Sequence, residues 1–205
     1  MTSRAAAAVV RALDDRQREA TEEVERILSA AITVMQRVSP DAPRVSDIVA
    51  AAGVSNKAFY RYFAGKDDLM LAVMERGVAL VISYLQHQMA KESTPAGKIS
   101  RWISGALAQV ADPELIGMSR AVIGQMSDKR RMGEEETMAA MRDLLVAPIR
   151  DLGSADPQRD ADAVFVCTVG TMRRYVNSTD QPGRKDINHL VGFCLRGLGV
   201  PEGER

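Results

Sequence analysis

Asn56, Lys57, Tyr60, Arg61, Tyr62 and Lys66 crowd into one short stretch of this chain. These residue types suit recognition of nucleic acid. Lysine reaches guanine O6 and N7, and asparagine pairs with adenine through two hydrogen bonds. Tyrosine, arginine and lysine pair with phosphate oxygens and fix register. Nothing elsewhere competes with this cluster as a site of chemistry. The two histidines, His87 and His189, stand alone, and there is no Cys-x-x-Cys or His-Glu-x-x-His run. A zinc site is therefore not expected. No glycine-rich phosphate loop is present, and Glu134-Glu135-Glu136 reads as a solvated helix start. The expectation is a protein that is not an enzyme and holds no metal or cofactor.

The cluster needs a scaffold, and the stretch from Arg44 to Lys66, RVSDIVAAAGVSNKAFYRYFAGK, supplies one. Ile48 to Ala52 is a helical run. Gly53 ends it, where a residue of positive φ is needed. Ser55 is placed to cap a second short helix reaching about Phe63. On that helix Phe59 and Phe63 form one apolar stripe, Asn56 and Tyr60 a second, and Lys57 and Arg61 a third. Two short helices about a glycine turn, the second apolar on one side and basic on the other, describe a helix-turn-helix whose second helix enters a major groove.

The chain has 205 residues, of which 46% are hydrophobic and only 4% aromatic. That is enough for a sizeable packed core, and abundant Ala, Leu, Val and Met favour helix over sheet. Basic and acidic residues balance at 27 each, so the net charge is zero. The basic excess is local: Arg37, Arg44, Lys57, Arg61 and Lys66 outweigh Asp41 and Asp47 in that region. A small DNA-reading head on a neutral body fits this distribution. No apolar run is long enough to cross a bilayer, and AAAAVV near the start is too short for a secretory signal. Cytoplasmic location and no membrane partner are expected.

Around the turn motif the pattern is helical throughout. Residues 1–14 read as a frayed arm or a helical extension, with a disordered terminus favoured over a basic arm touching DNA through Arg4 and Arg11. From about Asp15 to Val38, apolar residues recur at three- and four-residue steps. The SPDAP run then stops the helix. Asp67 and Asp68 open a long fourth helix running to about Lys91. Further helices are expected from about Ile99 to Val110, after Asp112-Pro113, from Met138 to Ile149 with Pro148 bending or shortening it, from Ala161 to Val176, and from Ile187 to Leu198.

In order along the chain stand an amphipathic first helix, a D-I-x-x-A-A-G-V-S turn, a short helix ending in F-Y-R-Y-F, and G-K-D-D-L opening the fourth helix. Over roughly residues 16–80 this resembles the TetR family of bacterial transcriptional regulators. The resemblance implies an all-α homodimer with residues 15–66 as a three-helix helix-turn-helix DNA-binding domain. Residues 67–205 would be a larger helical ligand-binding and dimerisation domain. It implies a repressor that binds a pseudo-palindromic operator in double-stranded DNA and is released by a small apolar or amphipathic effector acting through the fourth helix. The DNA-contacting set would be Arg44, Ser55, Asn56, Lys57, Ala58, Tyr60, Arg61, Tyr62 and Lys66. Operator preference is assigned to Asn56, Lys57 and Ala58, and Lys66 is aided by a helix N-terminus. Arg44 stands where the family commonly has Thr or Ser, which weakens the cap but adds a phosphate contact. Tyr62 stands where His is frequent.

In the second half, Tyr84, Trp102, Met118, Met126, Met141, Phe165 and Met172 are candidates to line a ligand pocket, with core packing the better reading for any single methionine. The last two helices resemble the family's dimer pair. They carry Val164, Phe165, Val169, Met172, Leu190, Val191, Phe193 and Leu195, and small residues at Gly170, Gly192 and Gly197. The same helices carry Cys167 and Cys194, read as buried residues ahead of a redox switch. The alternative function is a helical protein-interaction module with a vestigial helix-turn-helix.

Overall fold

The computed structural model describes residues 3–38, 41–111, 138–176, 178 and 180–201. All regular structure among them is helical. The chain divides into two compact units, Met1–Val73 and Met74–Arg205.

The first unit is built on α1 (Arg4–Val38), α2 (Val45–Ala52), α3 (Asn56–Tyr62) and the start of α4 (Lys66–Met89). Helix α1 begins at Arg4, so most of the N-terminal stretch expected to be disordered is helical. Four alanines in succession, Ala5–Ala8, have the highest helix propensity and extend the turns already nucleated downstream. Its burial starts only at Ile27, and then Leu28, Ala31, Val34 and Met35 face inward at helical spacing. α1 packs against α2, and α2 against α3. Ile48, Phe59, Leu69 and Met70 are buried with them.

The second unit has α5 (Pro95–Ala111), α6 (Val146–Asp151), α7 (Pro157–Val176) and α8 (Arg184–Gly197), together with the later turns of α4. α5 touches α6, α7 and α8, and α6 touches α7. The core holds Leu85, Ile99, Trp102, Ile103, Leu107, Leu145, Ile149 and Leu195, all fully buried. Thr94 caps α5 by accepting from the Gly97 N–H at 3.0 Å, and Pro95 takes the first helical position. Asp156 caps α7 in the same way, accepting from the Arg159 N–H at 3.2 Å, with Pro157 following. These caps explain why both helices begin earlier than their apolar periodicity suggests.

The helix expected over Met138–Ile149 is divided. Residues 138–143 are helical, Leu144 and Leu145 form a turn, and α6 follows. Pro148 is the cause. It has no N–H for the Leu144 carbonyl, and its ring crowds that same carbonyl. The chain tightens there, and the Leu145 N–H bonds to the Arg142 carbonyl at 2.9 Å. Asp112 to Thr137, with Met118, Met126 and the Glu134-Glu135-Glu136 run, lie outside the described residues.

Candidate nucleic-acid interface

Two local devices aim the recognition helix. Gly53 adopts φ 65° and ψ 34° after α2, and its own N–H and that of Val54 close on the Ala50 and Val49 carbonyls. A side chain there would be held in the left-handed region at a cost of roughly 1–2 kcal/mol. Ser55, two residues on, is extended and its hydroxyl accepts from the Ala58 N–H at 3.0 Å. Helix α3 therefore starts at Asn56 with a satisfied first turn. At the head of α2, Arg44 makes no side-chain cap, since a guanidinium has no acceptor to offer the first turn.

The faces of α3 then follow from its 3.6-residue repeat. Phe59 is fully buried, and its ring meets Phe63 at 5.7 Å and the edge of Tyr60 at 5.1 Å. Asn56, Lys57 and Tyr60 are exposed on the opposite side. Arg44 is exposed as well, and Lys66 is half-buried at the start of α4. These five side chains can meet base edges and phosphates from one head.

Three members of the expected DNA-contacting set are otherwise engaged. Ala58 is buried, because position 58 turns toward the same side as Phe59 and Tyr62. Its methyl group packs inward. The Arg61 Nη2 donates to Glu23 Oε2 of α1 and to the Tyr62 hydroxyl at 2.8 Å. Tyr62 in turn donates to the same Glu23 oxygen at 2.8 Å. The guanidinium also lies 4.6 Å from the centre of the Tyr62 ring. The Arg61 pKa is raised, first by the hydrogen bond with Tyr62 and then by the charges around it. Glu23 is the residue that sequence reasoning missed. Its signal, one acid among many on the outer face of α1, does not distinguish it from Glu19, Glu22 or Glu25. Just before α4, the Asp68 Oδ2 accepts from the Ala64 N–H at 2.9 Å, which ties the first turn of α4 back to the chain that enters it.

In the second unit the candidate pocket residues separate. Trp102 is fully buried and donates its indole N–H to the Met141 carbonyl at 3.1 Å. Phe165 lies 6.2 Å from it, ring centre to ring centre. Met141 is buried, and Phe165 and Met172 pack on the same core. Tyr84 is exposed, and its ring runs along α5 where Gly105 leaves space: a Cβ there would meet Tyr84 at 3.3 Å and Leu85 at 2.7 Å. Among the described residues, no three acidic, histidine or cysteine side chains gather as a metal site. No described helix is long and apolar enough to cross a membrane.

Cys194 is buried and Cys167 half-buried. Burial, and secondarily the neighbouring Cys167, push the Cys194 thiol up to about 11. At neutral pH it is a protonated thiol, a poor nucleophile. The folded state favours the neutral form, so its contribution is complete below the unfolded value near 9 and is lost as pH rises toward 11. Wild-type protein is expected to lose about 2 kcal/mol more stability over that window than Cys194→Ala, read by urea denaturation at each pH. Parallel curves for the two proteins would contradict this.

Residues 27–73 match the family profile described as bacterial regulatory proteins, tetR family. Over 80 residues the chain is 38% identical to the HTH-type transcriptional regulator YwcC of Bacillus subtilis (strain 168), covering 38% of this chain and 34% of that protein. It is 43% identical over 51 residues to YvdT of the same organism, 25% of this chain and 26% of the other. The chain thus matches about a third or less of the length of these relatives. Solved structures extend the likeness to the whole fold. A TetR-family transcriptional regulator from Mesorhizobium loti MAFF303099 superposes with a TM-score of 0.70 at 15% identity, covering 87% of this chain and 96% of that one. The regulator FadR from Bacillus subtilis, solved with stearoyl-CoA, gives 0.64 at 20% identity, covering 85% and 96%.

Proposed function

We propose that this chain, a tetR-family protein by its N-terminal unit, is a ligand-responsive DNA-binding transcriptional regulator that acts as a homodimeric repressor. One observation carries the reading. The Gly53 turn and the Ser55 cap hold α3 so that Phe59 is buried while Asn56, Lys57 and Tyr60 stand exposed together. Asn56 and Lys57 read base edges in the major groove. Tyr60, Arg44 and Lys66 hold phosphates and set register. Two such helices, about 34–36 Å apart in a symmetric dimer, address a pseudo-palindromic operator.

Residues 15–66 form the reading head in this account, and residues 67–205 the regulatory and dimerising domain. Support for a dimer through α7 and α8 comes from Val166 and Phe193, large apolar side chains that are 67% and 54% exposed in the single chain. Val164 and Leu195, by contrast, are buried within their own unit. The effector is a small apolar or amphipathic molecule. The acyl-CoA bound by the structurally similar FadR supports that class. Its differential affinity for two arrangements of the dimer would release the operator.

The test is a mobility shift with DNA from upstream of the protein's own gene, repeated at two salt concentrations. Specific binding with a steep salt dependence is expected. Lys57→Ala should cost about 1–3 kcal/mol of base discrimination per half-site at one position of the operator. Lys66→Ala should weaken all sequences alike and reduce the salt slope by about 0.9 per head. Competition with single-base operator variants separates the two, and a Lys66 variant selective for one base would contradict the division.

A further inference from the structure

Glu23 of α1, Arg61 and Tyr62 of α3 form a closed triangle on one carboxylate oxygen. Its geometry is asymmetric. The Arg61 side chain is 60% exposed, whereas that of Glu23 is only 20% exposed. The guanidinium is also laid on the Tyr62 ring, which leaves it anchored on two sides. Arg61 sits at the flank of the reading face, one helical step from Lys57 and turned toward α1.

A cation so placed is the natural partner of a DNA phosphate, yet here its charge is already balanced. For Arg61 to reach a phosphate, the ion pair must break. Glu23 would then face the polyanion as an uncompensated negative charge, largely shielded from solvent, and like-charge juxtaposition is costly. From this juxtaposition we propose that Glu23 sets the sequence-independent affinity of the head: it withholds Arg61 from the phosphate backbone, so that α3 presents Lys57 as its working cation. The consequence is lower sequence-independent affinity, with base reading by Asn56 and Lys57 untouched. Phosphate contacts raise affinity for every sequence equally and add nothing to discrimination. Removing one contact per head therefore lowers affinity for every duplex by the same factor and leaves the ratio of specific to non-specific binding unchanged. This inference rests on the regulator reading above and adds to it a residue outside the helix-turn-helix.

The test uses the full chain, a duplex of scrambled sequence, and fluorescence anisotropy over a salt series. Glu23→Gln keeps the shape and an acceptor for the Tyr62 hydroxyl but removes the charge. It is expected to bind scrambled duplex on the order of tenfold tighter, with a salt slope steeper by about 0.9 per head. Operator affinity should rise by the same factor, so that the preference for operator over scrambled DNA is unchanged. The double variant Glu23→Gln/Arg61→Gln should return to the wild-type slope. Arg61→Gln, an exposed change that spares the fold, should keep that slope as well. If Arg61→Gln alone lowers the slope by about 0.9 per head, Arg61 is a phosphate contact in the wild type and the inference is overturned. A wild-type chain that binds while Glu23→Gln keeps its slope, or binds more weakly, overturns this inference alone and leaves Glu23 as a brace between α1 and α3. A wild-type chain with no affinity for any duplex overturns the regulator reading and this inference together.

Discussion

Phe59→Ala is expected to abolish duplex binding while leaving the second unit folded. Phe59 is fully exposed to the interior and not at all to solvent, with Tyr60 and Phe63 packed on its ring. Truncating a phenylalanine in such a site costs about 3–5 kcal/mol, from lost transfer energy and the cavity left behind. The first unit, Met1–Val73, is small. A domain of that size has a total stability of about 4–10 kcal/mol, so the loss removes most of its margin. The recognition helix suffers most, because seven residues cannot hold helical form without tertiary packing. Two probes separate the units. Trp102, the single tryptophan, lies in the second unit, and its fluorescence should stay native. Mobility shift should fail, and far-UV dichroism should lose helix in proportion to the head. Phe59→Leu, which fills much of the volume, should retain binding with a smaller loss. Wild-type affinity and melting in Phe59→Ala would remove Phe59 from the structural account of the head.

That experiment turns on a residue whose role was legible in the sequence, and the reason is local. Gly53, Ser55, Phe59 and Phe63 act through backbone conformation, capping and helical period, all set within a few residues of chain. Each therefore leaves a pattern that can be read in one dimension. The interior of the second unit is legible to a lesser degree. Helical period brings Ile99, Trp102, Ile103 and Ala106 to one face of α5, but whether Trp102 meets a ligand or a neighbour depends on chain some forty residues away. The Trp102–Met141 hydrogen bond has no local signature at all.

The same distinction accounts for the corrections. Ala58 follows Asn56 and Lys57 in sequence, yet one residue along a helix is a rotation of about 100°, which turns its methyl group inward. The break before α6 was partly visible, since Pro148 is a local signal, but its effect falls on the carbonyl four residues earlier. Arg61 and Tyr62 were read as phosphate contacts from their type alone. Their engagement with Glu23 joins positions 38 and 39 residues apart. Composition cannot announce such a pairing, because an acid on a solvated helix face has no reason to be singled out. The neutral overall charge fits the result: a head whose cations are partly balanced internally relies less on bulk electrostatics and more on a few placed side chains.

Trp102→Ala is the second large effect, and it decides what the centre of the second unit is for. Trp102 has no solvent exposure, its indole N–H is satisfied by the Met141 carbonyl at 3.1 Å, and Phe165 lies against it. This is the environment of a core residue, so alanine should cost about 3–5 kcal/mol in denaturation followed by far-UV dichroism. Trp102→Phe keeps most of the apolar surface but leaves the Met141 carbonyl without its donor. It should cost about 1–3 kcal/mol, the desolvation penalty of a buried acceptor. The two variants together apportion packing and hydrogen bonding. The alanine variant also leaves a cavity shaped like the missing side chain, apolar except for the Met141 carbonyl, and a small aromatic carrying an N–H fits it. Added indole should therefore raise its melting temperature by mass action and leave that of the wild type unchanged. A wall of a ligand cavity behaves differently: its truncation enlarges a space already present and costs little. A loss below about 1 kcal/mol for Trp102→Ala, with indole stabilising both proteins, would move Trp102 from the core to the effector pocket. The expected result instead fixes Trp102 as a core residue of the second unit, held by Phe165 and the Met141 carbonyl.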